Sequence, residues 1–224
     1  MKNSLLVIFL LVLNSFYGQN SDSLTLSVKF KWDNVPLKIN SEHISKNNDT
    51  LKIAKFSFYL SDIQLVFGDE SVFKDNKQHL IQLDDLSSQS ISICNKSKKV
   101  KAIHFSIGVD SLASVSGALS GDLDPSKGMY WAWQSGYINM KIEGSSSSCK
   151  TRKNAFHFHI GGYLDPNYAL RKVIIYPESE NLDLEINLAK LFESVQLSKT
   201  NSVMIPGIKA MELADFSVKM FTVK

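Results

Sequence analysis

Arginine is almost absent from this chain: of its 25 basic residues, only Arg152 and Arg171 are not lysine. A nucleic-acid surface draws on stripes of arginine and lysine set among aromatics, so no nucleic-acid partner is expected. The net charge of +3 is mild. The one lysine cluster, Lys96, Lys98, Lys99 and Lys101, reads as a solvated turn and an edge strand that discourages strand addition. No apolar run reaches the roughly 18 residues that a membrane helix needs, so no membrane span is expected. A phosphate-binding glycine loop, a nucleophile elbow and a zinc-protease helix are also missing. An enzyme is therefore not expected, and no catalytic residue is assigned.

What is present begins with Met1, Lys2 and Asn3, then an apolar run from Leu5 to Leu13 closed by Asn14, Ser15, Phe16, Tyr17 and Gly18. A charged start, a short apolar stretch and a small residue ahead of polar sequence make the pattern of a secretory signal peptide over residues 1–18. Residues 19–224 then form one domain, because 44% hydrophobic side chains in 224 residues supply one sizeable core. The expected location is the periplasm or the extracellular space. Such compartments permit disulfides, and Cys94 and Cys149 are expected to pair; the alternative is two buried thiols.

Hydrophobic residues recur with period two along most of the chain. Leu24, Leu26, Val28 and Phe30 alternate with Thr25, Ser27, Lys29 and Lys31, the mark of a half-buried strand. Residues 51–66 give two short strands or one bulged strand, broken at Ser61 and Asp62. Further strands are predicted at 79–83, 90–94, 100–109, 137–143, 155–161, 171–176 and 182–188, with a short helix at 189–192 and a closing strand within 214–223. Residues 110–127 read as a long ordered loop with a helical turn near 111–115, and long loops in compact domains are usually functional. Strands about ten residues apart with turn signals between them predict an all-β fold, an antiparallel β-sandwich or barrel-like domain with long ordered loops and short helical turns.

Two segments carry chemistry. In 128–137, Gly-Met-Tyr-Trp-Ala-Trp-Gln-Ser-Gly-Tyr, Trp131 and Trp133 are two apart, so on an extended chain they share a side. They form either an aromatic surface, a stacking platform or pocket wall, or plain core filling. In Phe156-His157-Phe158-His159-Ile160 the alternation sends both imidazoles to one face, about 7 Å apart along the strand, where both can reach one metal ion. The other reading is a hydrogen-bonded pair without metal. Met129, Met140, Met204 and Met211 offer thioethers that suit copper(I), although methionine more often fills cores.

These segments, with Asp122-Leu123-Asp124-Pro125, Lys141, Glu143-Gly144, the run 158–162 and the C-terminal Ser202-Val203-Met204 to Met220-Phe221, resemble the MbnP-like family, named for the copper-binding protein of methanobactin operons. The resemblance implies a secreted or periplasmic β-rich protein related to methanotroph surface copper proteins, in which a tryptophan oxidised to kynurenine joins histidines around copper. Carried over residue by residue, it makes Trp131 the candidate for the oxidised position and His159 the matching histidine. Trp133 stands where a copper-binding relative carries a histidine. Asn201 stands where a histidine precedes the Ser-Val-Met element, and asparagine is a poor copper ligand. His157, His43 or His104 would then complete the set. The expected function is a copper carrier or scavenger without turnover, whose partners are the metal ion and an unidentified protein. The alternative is an interaction or ligand-binding module that keeps the fold and uses the Trp131 and Trp133 surface.

Overall fold

The computed structural model describes residues 24–94, 98–134 and 136–223; the segment read as a signal peptide, 1–18, lies outside them. The described chain begins with β1 (Leu24–Trp32), β2 (Val35–Pro36), β3 (Glu42–Ile44), β4 (Thr50–Phe67), β5 (Val72–Asp75), β6 (His79–Gln82), β7 (Ser90–Cys94) and β8 (Val100–Ile107). A short helix α1 (Ser111–Val115) precedes β9 (Tyr130–Trp131), β10 (Gly136–Ser146), β11 (Ala155–Gly161), β12 (Arg171–Ile175) and β13 (Leu182–Asn187). Then come α2 (Ala189–Phe192), β14 (Ser202–Val203), α3 (Ile208–Ser217) and β15 (Phe221–Val223). No helix among the described residues is long and apolar enough to cross a membrane.

One sheet has the order β15-β13-β1-β2, with β7 also on β1; the larger runs β12-β8-β4-β10-β11-β14, with β3, β5 and β6 on β4 and β9 on β10. The alternation in β1 buries Leu26, Val28, Phe30 and Trp32 against the larger sheet. Phe30 meets Phe56 edge-on at 5.2 Å, and Phe221 meets Phe58 and Phe105 at 5.5 Å each, so aromatic rings from both sheets interlock in the layer between them. Each such phenylalanine withdrawn from water stabilises the fold by about 1.5–3 kcal/mol. The 18-residue β4 is one bulged strand: Asp62 takes φ 50°, and the pairing with β8 shifts register between Ser61 and Gln64.

A second, smaller core lies on the face of the larger sheet turned away from the first, under the long segment 110–134. Tyr59, Leu80, Val109, Leu123, Met129, Trp131, Tyr137 and Ile138 fill it. Buried hydroxyls fix the segment there. Tyr59 donates to Asp122 O at 3.0 Å, and Tyr137 Oη accepts from Leu119 N–H at 3.0 Å and donates toward the Leu123 and Gly117 carbonyls. Burial pushes both phenols above their ordinary pKa. The loop is thus ordered, with α1 capped by the Asp110 carboxylate on Ala113 N–H at 2.7 Å.

The expected all-β, sandwich or barrel-like architecture holds, and three details need correction. The sheets are not wholly antiparallel, since β1 pairs with β13 and β11 with β14 in parallel; side-chain alternation carries no information on strand direction. The predicted strand within 214–223 is mostly helix: Ala210, Leu213, Ala214 and Ser217 are buried at helical spacing in α3, and only Phe221–Val223 is extended. The Cys94–Cys149 disulfide is not formed, and Cys149 is a buried free thiol near Leu197 O. The side chain of Cys94 lies outside the described residues, but its backbone pairs with Leu24. Cys149 sits instead beside Leu197 and Asp49.

Candidate functional site

The outer face of β10 and β11, beside the second core, brings together the residues singled out in the sequence. In these paired strands Lys141 lies opposite His159 and Glu143 opposite His157. Ile142, Phe158 and Ile160, on the alternate positions, face the main core, so period two sends all four ionisable side chains outward together. The two imidazole rings stand 6.4 Å apart between centroids and nearly perpendicular. His159 is only 8% exposed, and its Nε2 is 2.7 Å from Glu143 Oε1.

That contact sets the chemistry of the pair. The hydrogen bond from His159, followed by the nearby charges of His159, Lys141 and His157, holds the Glu143 carboxyl below its usual range and therefore ionised. An ionised carboxylate only accepts, so Nε2 carries the proton and donates. In the neutral imidazole Nδ1 of His159 then keeps its lone pair, the arrangement by which a carboxylate orients a metal-binding histidine. Lys141 runs alongside, its ammonium donating to the Gly128 carbonyl, and burial lowers its pKa.

Trp131 and Trp133 separate in burial. β9 ends at Trp131 and the chain turns, leaving Trp131 6% exposed and Trp133 64% exposed, with ring centroids 5.9 Å apart. The Trp131 indole lies flush on Gly161, two residues beyond His159 on the same face. A Cβ at Gly161 would stand 2.7 Å from Trp131 Cζ3 and 2.7 Å from Tyr137 O, so only glycine lets the ring come this close.

The other candidate ligands stay apart. His43 stacks on Trp32 at 4.7 Å with Nε2 3.0 Å from Ser41 Oγ, and burial lowers its pKa. His104 is in β8, separated from β11 by β4 and β10. Met140 points into the main core and Met129 into the second, while Met211 belongs to α3. Met204 is 44% exposed and directly follows Val203, the partner of Phe158. Asn201 flanks His157, accepting its backbone N–H at 2.9 Å, but turns its amide to Leu197 O at 3.2 Å.

Among the described residues no three His, Cys, Asp or Glu side chains converge as a metal cluster. By ring separation alone, the two imidazoles match a narrower case. A two-coordinate ion between two imidazoles, with metal–nitrogen bonds of about 2 Å, sets ring centres about 6 Å apart. The observed separation is close to that, and copper(I) accepts such low coordination. Sequence reasoning gave no role to Glu143 or Lys141. The available signal was their alternation with Met140 and Ile142, which places two ionisable side chains on the outward face of a strand.

The MbnP family model matches residues 21–205. Among solved structures, MbnP from Methylosinus trichosporium aligns with a TM-score of 0.63 at 13% identity, over 81% of this chain and 82% of that one. At this identity the likeness concerns the fold. No curated protein matches.

Proposed function

The chain belongs to the MbnP family, and from that premise we propose that it is a periplasmic or secreted copper-binding protein, a carrier or scavenger without catalytic turnover. The observation that carries this is the His157–His159 pair on one face of β11, 6.4 Å between ring centres, beside the buried Trp131. Glu143 holds His159 in one tautomer, and Trp131 lies on Gly161, two residues beyond His159 on the same strand. The cargo suited to two imidazole donors is copper(I). Export rests on the signal-peptide pattern of residues 1–18.

A second reading, a protein-interaction module that keeps the fold without metal, is favoured by Asn201 turned to Leu197 O and by the exposed Trp133 indole. Metal content by mass spectrometry, on mature protein from its native host and on His157→Ala and His159→Ala variants, decides between them. Near-stoichiometric copper, lost in both variants, is the expected result. Wild-type protein that is metal-free and fails to take up copper(I) would leave the interaction reading.

A further inference from the structure

We infer that Lys141 is a positioning residue: its ammonium, bound to the Gly128 carbonyl, tethers the strap of residues 128–134 and so holds Trp131 against Gly161 beside the histidines. The register carries the argument. Lys141 is the direct partner of His159 across β10 and β11, so one backbone position on the sheet supports both the imidazole and, through the lysine, the strap. Gly128 ends the single 3-10 turn Pro125–Lys127 in the left-handed region, φ 74°, and Met129, Tyr130 and Trp131 follow at once. The strap is also paired with β10 through its backbone, Tyr130 and Trp131 with Tyr137 and Gly136, and Ile138 N–H donates to Met129 O at 2.9 Å. At Gly128 the backbone N–H donates to Pro125 O at 2.9 Å, and the Lys141 side chain adds the tie from this turn to the strand. A lysine stem is long enough to cross from the strand to the turn while its methylenes cover apolar surface.

The tether and the copper reading are separable, although the consequence for metal rests on that reading. The chain has three tryptophans, and Trp32 and Trp131 are buried while Trp133 is exposed. Acrylamide therefore reaches about one of three emitters in the wild type. In metal-free Lys141→Met, which keeps the stem and loses the donor, the quenchable fraction should double as Trp131 becomes accessible, and Lys141→Arg should restore the wild-type value. Should Lys141→Met not fold, Lys141→Gln, with a donor too short for Gly128, gives the same readout. Copper(I) affinity of the untethered variant should fall by roughly tenfold, as for loss of a residue that supports a ligand shell. Unchanged quenching in both untethered variants overturns the proposal. Absence of copper binding in the wild type counts against the carrier reading alone, and quenching then decides the tether.

Discussion

Replacing Gly161 with alanine places one methyl group in the tightest contact of the candidate site. The new carbon would lie 2.7 Å from Trp131 Cζ3, 2.9 Å from Cη2 and 2.7 Å from the Tyr137 carbonyl oxygen. Carbon pairs are comfortable at about 3.5–4.0 Å, so the indole must retreat by roughly 1 Å. The carbonyl belongs to the neighbouring strand β10 and can move only by disturbing the ladder. Overpacking of this kind costs about 1–3 kcal/mol. For a chain of this length, a loss of that size lowers the melting temperature by about 2–12 °C. Thermal melts of the single variants and of the double variant with Trp131→Phe separate the two contacts. The smaller phenylalanine ring should relieve the indole clash, making the double variant more stable than the sum of the single losses by at least about 0.5 kcal/mol, while the carbonyl clash persists. Additive losses, or a melt of Gly161→Ala unchanged within about 1 °C, would refute the contact between ring and glycine on which the site's geometry depends.

Glu143→Gln should destabilise the protein at pH 7 by about 1 kcal/mol, once solvent screening of a half-buried pair is allowed for. The Glu143 pKa is depressed in the fold, first by the His159 hydrogen bond, from an ordinary 4.5. Its stabilisation is therefore fully present above that value and lost as pH falls through the lower folded one. Urea midpoints of wild type and variant should differ at pH 7 and converge in acid; a gap independent of pH would contradict the pairing. Cys149 is 1% exposed and its thiol pKa is raised, mainly by burial. It should react with a disulfide reagent at least about tenfold more slowly in the native protein than in urea, and fast native labelling at Cys149, located by peptide mapping, would rule out its buried placement.

Legibility in the sequence followed the range of the interactions involved. Alternation marked β1 and β11, the polar break at Ser61 and Asp62 marked the bulge in β4, and the helical turn read near 111–115 is α1. Residues 214–223 misled because Phe216, Val218 and Met220 satisfy a period of two, while Ala210, Leu213, Ala214 and Ser217 satisfy the helical period that prevails. His157 and His159 shared a face by local geometry alone. Glu143 on His159 and Trp131 on Gly161 depend on which strands and loops become neighbours, and that information is not local.

The parallel pairing of β1 with β13 bears on how the molecule is made. Leu26 meets Leu182 and Phe30 meets Ile186, so the first described strand leaves the ribosome with one of its neighbours still untranslated. At about 5–20 residues per second, the wait lasts on the order of 8–30 s. Through that interval, the apolar edge of β1, with Val28 and Phe30, stays open to any passing strand. The smaller sheet closes only after Asn187 has emerged.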